Sequence, residues 1–492
     1  MGNNESRTQL LARNIFVFGL ATIISRLITF ILTPIYTRYF NPQEFGIYSL
    51  ITMAISIICP LCMIGTSDAL FRIYFDNNDL SYRRKLISTG LKLVIYITGS
   101  VLIVFFIFRK PITIIYLGNI KYLDYIILGI VVIFFRNITT ITNSIIRMEN
   151  NRKKIVQITL IQSFVTLLFN LLFIVVMHKD MRFILITNVI NLIILFFITS
   201  EYGRKYLNFS DFRINKNISK EIVKYGLPLT PVFIGYWILS AADKLILNYI
   251  YDTSAVGLYA VGMKLASIMS LFQVIFGQGW QFFSFSTMRD NDASKVYGKI
   301  FNLAVFAGVS IVTILLFYGD FIFKVLFSKI YYEAWTISPI LCLGPVIMVL
   351  RWIAGIGTSI KKKTYLSTIG IFFAAVANII LNFLFIPKYY LMGAAIATLI
   401  SYIVMLTFAI IVVSNRLLRV YFNKRRFFLI SFILFTSYIL KYRFLENKLL
   451  LSTVFLFIYL AIYCILNIDL IKEIYKKIIS GLKNKRKKII NS

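Results

Sequence analysis

Long, continuous apolar runs constrain this chain more than any motif in it does. Fourteen can be drawn, at 14–37, 46–71, 86–108, 123–146, 155–177, 182–200, 226–250, 255–280, 299–318, 336–358, 365–387, 391–413, 427–441 and 449–467. About 20 mainly apolar residues cross the hydrocarbon core of a bilayer, and only helices and closed barrels satisfy their backbone there. The runs do not alternate polar and apolar residues as barrel strands would. They predict an all-α integral membrane protein of about 14 transmembrane helices, and the mean hydropathy of +0.80 with 59% hydrophobic residues agrees. The first run is too long for a signal-peptide core and carries Arg26, so it reads as a retained span.

A net charge of +33 in a soluble chain would suggest nucleic acid. Here the cations sit in short loops between spans, which is a topology signal, and no nucleic-acid partner is expected. The alternate loops that include both termini hold about 34 Lys and Arg, against about 12 in the opposite set. This asymmetry predicts cytoplasmic termini. The longest connection, Glu201 to Lys224, is too short for a soluble catalytic domain. Cys59-Pro60-Leu61-Cys62 has the spacing of a redox or metal pair but no second ligand pair accompanies it, and His178 is the one histidine. Buried thiols and no metal site are the expectation.

The sequence also repeats. Phe45-Gly46-Ile47-Tyr48 returns as Val256-Gly257-Leu258-Tyr259, and Asn170-Leu171-Leu172-Phe173-Ile174 returns as Asn382-Phe383-Leu384-Phe385-Ile386, at offsets of 211 and 212 residues. Six spans per half place both halves in the membrane in the same direction. The expected organisation is an N-terminal six-helix bundle (1–200), a cytoplasmic linker (201–225), a second six-helix bundle parallel to the first (226–413), helices 13 and 14 (414–467) and a basic tail (468–492). A cavity between the bundles and alternating access by rocking follow from that arrangement.

Seven cations lie inside the runs, Arg26, Arg72, Lys92, Arg136, Lys244, Lys264 and Arg351, with two acids, Asp68 and Asp243. Ionised groups at that depth are costly and mark functional paths, and an excess of cations points to an anionic cargo. At 1.5 Å per residue Asp243 and Lys264 lie about 10 and 13 Å from the outer ends of their spans, so they can meet, as a structural ion pair or as a coupling or gating pair. Lys244 points to another face and can snorkel. Asp68 and Arg72 are one turn apart and can satisfy each other. Lys92 and Arg351 lie in the cytoplasmic halves of their spans and are secondary candidates for cargo contact. Arg26 and Arg136 sit about 16 to 20 Å from both ends of theirs without an obvious carboxylate at that depth, and a guanidinium fork suits a phosphate. Tyr236, Trp237, Trp280, Phe282 and Phe283 could stack on sugars, although helix packing and interfacial belts account for most aromatics in spans. Pro34, Pro60, Pro228, Pro231 and Pro345 are candidate kinks or hinges.

The segment from Ser25-Arg26-Leu27 through Pro34-Ile35-Tyr36-Thr37-Arg38-Tyr39-Phe40-Asn41-Pro42-Gln43-Glu44-Phe45-Gly46-Ile47-Tyr48 resembles the start of polysaccharide flippases of the Wzx type, in the multidrug/oligosaccharidyl-lipid/polysaccharide exporter superfamily. So do Lys224-Tyr225-Gly226-Leu227-Pro228-Leu229 with Ala242-Asp243-Lys244, Val256-Gly257-Leu258-Tyr259-Ala260-Val261-Gly262-Met263-Lys264, and Asn382-Phe383-Leu384-Phe385-Ile386-Pro387 with Gly393-Ala394-Ala395. The resemblance implies a transporter rather than an enzyme. It would translocate an undecaprenyl-diphosphate-linked oligosaccharide across the bacterial cytoplasmic membrane for O-antigen or capsule assembly, with H⁺ or Na⁺ coupling, membrane lipid around it, and a polymerase and chain-length regulator as partners. Arg26 falls at that family's first-helix arginine. Two other readings stand beside it. A cation-coupled multidrug exporter would need cavity carboxylates that outnumber cations, and a membrane polymerase or glycosyltransferase would need clustered external acids.

Overall fold

The computed structural model describes residues 24–149, 151–206, 214–445, 448–469 and 471–472. Every regular element among them is helical. Residues 24–39 form α1. The first half continues with α2 (Pro42–Met63), α3 (Thr66–Tyr74), α4 (Leu80–Ile107), α5 (Arg109–Leu117), α6 (Leu123–Met148), α7 (Arg152–Asn170), α8 (Arg182–Tyr202) and α9 (Lys216–Gly226). The second half holds α10 (Thr230–Ile250), α11 (Thr253–Ser286), α12 (Ala293–Leu326), α13 (Ser338–Ala354), α14 (Ile356–Ile360), α15 (Tyr365–Phe408), α16 (Lys424–Phe444) and α17 (Leu449–Leu466).

Eleven helices among the described residues are long and apolar enough to cross a membrane, and a bent pair, Lys329–Trp335 with α13, makes twelve. Two further crossings complete the expected set. Residues 24–39 are the described part of the first run, and α15 is two runs joined across Tyr390, whose φ of 52° interrupts the helix three residues after Pro387. The missing proline N–H and the left-handed residue end one helix and start the next.

Local chemistry sets the helix ends. The Glu44 amide donates to Asn41 Oδ1 at 2.9 Å while the Asn41 amide donates to Glu44 Oε2 at 3.0 Å, a capping box with Pro42 in the first turn. This cap starts α2 at residue 42, four residues before the apolar run. Its far end corrects the sequence reading. The run to residue 71 breaks at Ile64 and Gly65, both left-handed (φ 46° and 64°), so Asp68 and Arg72 lie on the separate amphipathic helix α3 and not in a span. There α3 packs on α4 and α9, with Leu70, Ile73, Ile218 and Ile222 in one buried cluster. A Cβ on Gly65 would stand 2.5 Å from the Gly226 carbonyl oxygen, so this crossing of α3 and α9 depends on bare backbone.

The chain divides into two compact units that do not coincide with the two sequence halves. Unit 1 holds residues 1–264, 327–334 and 375–398. It therefore includes α10, the first third of α11 and the turn at Tyr390, and the C-terminal end of α10, the start of α11 and that turn lie on the side with few basic loops. On that side the repeated glycines meet: a Cβ on Gly46 would lie 1.7 Å from the Thr253 carbonyl oxygen, and one on Gly257 would lie 1.8 Å from that of Pro42. The Tyr331 hydroxyl donates to the Phe40 carbonyl at 2.8 Å beside this crossing, and Tyr331 packs edge-on against Phe45.

Unit 2 holds residues 265–326, 335–374 and 399–492. Its core joins α12, α13, α16 and α17 through Phe301, Val305, Val349, Ile430 and Tyr463. Lys441, only 3% exposed, donates to Asp320 Oδ2 and to Ser452 Oγ, both at 3.1 Å, and ties α16 and α17 to α12. Of the basic tail, residues 468, 469, 471 and 472 are described and the rest lies outside the described residues.

Candidate functional site

Unit 1 carries an open polar cavity of about 430 Å³, in which the Arg136 side chain is exposed. Ser25, Ile28 and Thr29 of α1, Thr52 and Ile55 of α2, Val132 and Arg136 of α6, Gln162, Ser163 and Thr166 of α7, and Asn188, Asn191 and Leu192 of α8 line it. Arg136 is the one ionised group in this lining, and no carboxylate among the described residues lies within ion-pair reach of it. The α6 helix holds this side chain in place through its neighbours. Asn137 is fully buried and its Nδ2 donates to Thr98 Oγ1 at 3.0 Å, while Thr142 and Thr199 share a hydroxyl contact of 2.7 Å that joins α6 to α8. A guanidinium cannot shed its proton at neutral pH, so the cavity carries a fixed positive charge.

None of the other predicted residues lines this cavity. Arg26 projects from the same turn of α1 as Ser25, Ile28 and Thr29, is exposed, and is not part of the cavity wall. Lys92 is half-buried on α4 between buried Leu91 and Leu93. Arg351 belongs to unit 2, where it is 8% exposed and lines a cavity of about 510 Å³ with Trp280, Gln281, Ser284, Trp352 and Thr358. The repeat relates the two arginine helices: an offset of 211 residues carries Arg136 to Ile347, one turn before Arg351. Trp237 has a structural bond, its indole N–H donating to Ser56 Oγ at 3.0 Å, and Trp280 stacks on Phe276.

Both expected ion pairs are corrected. Arg72 pairs with Asp76 just past the end of α3 and not with Asp68, which stands in the first turn of α3 where the helix N-terminus answers its charge. Asp243 does not pair with Lys264. Its Oδ2 accepts from the Tyr259 hydroxyl and from Thr398 Oγ1, both at 2.7 Å, and its Oδ1 accepts from Asn382 Nδ2 at 2.7 Å and Asn378 Nδ2 at 3.4 Å. Lys264 instead places its ammonium 6.0 Å from the ring centre of Phe45. Lys244 is half-buried on the neighbouring face of α10. The carboxylate is 2% exposed and wholly ringed by neutral donors, and Asn382 Oδ1 beside it is buried without a hydrogen bond. Three oxygen-bearing side chains on Asp243, Asn382 and Thr398 form a donor set that a proton or a small hard cation could use.

The sequence reading weighed charges and so passed over this ring and the amides of the Arg136 cavity. A signal was present. Asn378 and Asn382 are one helical turn apart within an apolar run, Asn382 is part of the internal repeat, and Asn188 and Asn191 share a face of α8.

On the side of the basic loops Glu149 binds Tyr202 (2.6 Å), Tyr206 (2.7 Å) and Lys205, joining the ends of α6 and α8. Burial pushes the Glu149 carboxyl up, but these donors outweigh it and hold it below its ordinary value, while Glu149 raises Lys205.

Comparison with solved structures gives the class. The lipid II flippase MurJ in an inward closed conformation superposes with a TM-score of 0.74 at 17% identity, over 93% of this chain and all of that one. An inward-facing multidrug resistance MATE transporter of the MOP superfamily gives 0.61 at 13% identity over 79% of this chain and 95% of its own, and a MOP superfamily transporter from Pyrococcus furiosus gives 0.59 at 14% over 84% and 98%. The fold is that of the multidrug/oligosaccharidyl-lipid/polysaccharide transporters. Residues 11–282 match the polysaccharide biosynthesis protein family, and the chain belongs to it. The resemblance to Wzx-type flippases is thereby borne out. An uncharacterized membrane protein of Methanocaldococcus jannaschii is 26% identical over 285 residues, 54% of this chain and 55% of its own length, so the chain spans about half of the curated relative it matches.

Proposed function

We propose that this protein flips an undecaprenyl-diphosphate-linked oligosaccharide across the bacterial cytoplasmic membrane by alternating access, delivering repeat units for O-antigen or capsule assembly. The observation that carries the reading is Arg136, a permanent cation without a carboxylate partner among the described residues, set in an otherwise neutral polar cavity of a membrane bundle. A diphosphate supplies the missing charge and accepts two parallel N–H bonds from a guanidinium. Arg351, in the corresponding helix of the second half, is assigned the same kind of contact from unit 2, and Arg26 and Lys92 serve the approach of the anion. Membership of a polysaccharide biosynthesis family supports a sugar-bearing cargo.

Asp243 is the proposed coupling group. Its ring of Tyr259, Asn378, Asn382 and Thr398 draws on α10, α11 and both limbs of α15, so protonation or binding of Na⁺ there changes how these helices hold together. The termini face the cytoplasm in this scheme and the Gly46–Gly257 crossing faces outward, where a polymerase and chain-length regulator receive the product. Expression in a bacterium deleted for its own polysaccharide flippase tests the proposal. Arg136→Ala should abolish surface polymer while the protein stays in the membrane, and normal surface polymer in that strain would remove the role.

A further inference from the structure

The wall of the Arg136 cavity makes two different chemical demands. Arg136 has only donors to offer, so it takes an acceptor, and preferably an anion. Asn191 makes the opposite demand. Its Nδ2 donates to the Gln162 carbonyl oxygen at 2.9 Å and to Thr166 Oγ1 at 2.7 Å. A backbone carbonyl can only accept, which fixes the amide's orientation and leaves Oδ1 as the free end. That oxygen is buried and has no hydrogen bond within the chain, and Ser163 Oγ, on the same wall, has none either. An amide oxygen gains nothing from a phosphate oxygen, because both are acceptors. It takes an O–H or N–H. Inorganic anions meet the first demand and neutral sugars the second, whereas a glycosyl phosphate meets both. The cavity's volume of about 430 Å³ lies within the range of small-molecule sites.

We infer that this cavity is a sugar-phosphate subsite. Arg136 holds the phosphate, and the face formed by Gln162, Ser163 and Thr166 of α7 with Asn188 and Asn191 of α8 reads the hydroxyl or acetamido groups of the sugar attached to it. Because both oxygens are buried, the ligand engages Ser163 Oγ through rotation of that side chain and Asn191 Oδ1 through a small displacement of the surrounding wall that keeps the two donated bonds. The inference rests on the flippase reading above and adds to it the residues that select the first sugar. These five positions are the ones that set cargo specificity, while Arg136 serves any diphosphate lipid.

The test uses the full chain in lipid nanodiscs and measures binding of undecaprenyl diphosphate and of the same lipid carrying one hexose or N-acetylhexosamine, in gluco and galacto forms. At least one sugar-bearing probe should bind about tenfold more tightly than the bare diphosphate, a gain of one to two neutral hydrogen bonds. Ser163→Ala removes a hydroxyl that makes no hydrogen bond in the chain and should erase most of that gain, so that sugar-bearing and bare lipids bind alike. Asn191→Leu should do the same, and Arg136→Ala should weaken every probe. Equal binding of bare and sugar-bearing lipids by the wild type, or a sugar preference that survives Ser163→Ala and Asn191→Leu, overturns the subsite and leaves the flippase reading standing. Wild-type protein that binds none of the probes overturns both.

Discussion

Adding one methyl group at Gly46 or Gly257 should disfavour the close crossing of α2 and α11 in unit 1, which we take to be the sealed state of the transporter. In this structure the new Cβ would lie 1.7 Å from the Thr253 carbonyl oxygen or 1.8 Å from that of Pro42. Both neighbours are backbone, so no side chain can swing aside. Restoring an ordinary carbon–oxygen contact of roughly 3.2 Å requires α2 and α11 to separate by about 1.5 Å, a displacement that costs about 1–3 kcal/mol in a packed interface. A penalty of that size, borne only by the sealed state, shifts a two-state equilibrium about 5- to 150-fold. Spin labels at Gln43 and Asp252, both exposed and next to the crossing, report it by distance measurement once Cys59, Cys62, Cys342 and Cys464 are replaced. Gly46→Ala and Gly257→Ala should each lengthen the main distance or populate a second, longer one, and should slow polymer export. Unchanged distances with unchanged export in both variants would refute the idea that the repeated glycines form a seal that opens.

Asp243→Leu strands four donors in a buried ring and should cost about 3–5 kcal/mol of stability, whereas Asp243→Asn keeps the shape and should spare folding while removing any dependence of transport on the H⁺ or Na⁺ gradient, read in proteoliposomes. Lys441→Met leaves Asp320 partly buried and should lower the melting temperature, with Lys441→Met/Asp320→Leu recovering most of the loss in a thermal shift series. Glu149 is held below its ordinary value in the folded state, so its contribution to stability is complete above the usual glutamate range near ~4 and is lost as pH falls through the lowered value. Lys205, raised by the same contact, contributes fully below its usual range near ~10 and loses that contribution as pH rises further. Melting followed from about pH 3 to 7 should therefore show an acid loss that Glu149→Gln diminishes.

The helical class and most span positions were legible because they depend on local apolar length, and Arg136 stood out by its depth within one such run. Breaks within runs were less legible. Ile64 with φ 46° is an ordinary residue forced into the left-handed region by its surroundings, and no local propensity announces it, whereas the break at Tyr390 follows Pro387 and falls between the runs 365–387 and 391–413. Pairing was the least legible of all. Depth brought Asp243 and Lys264 to similar levels, but azimuth around the helix decides contacts, and it turned Asp243 toward Tyr259, Asn378, Asn382 and Thr398. Neutral amides satisfy a buried carboxylate without a counter-charge, so a reading built on charges alone could not find them. The repeat at offsets of 211 and 212 residues was visible as sequence, while its physical use, two glycines set against each other's backbone, required coordinates.

The central claim is that Arg136 supplies a fixed positive charge to a diphosphate-bearing lipid. Equilibrium binding of undecaprenyl diphosphate to the purified protein in nanodiscs, compared between wild type, Arg136→Lys and Arg136→Ala, addresses it directly. A bidentate guanidinium contact to an anion is worth about 1.5–3 kcal/mol, so Arg136→Ala should weaken binding about 10- to 150-fold and Arg136→Lys should recover only part of it. Equal affinity in all three proteins, with each of them folded and monodisperse, would contradict the account.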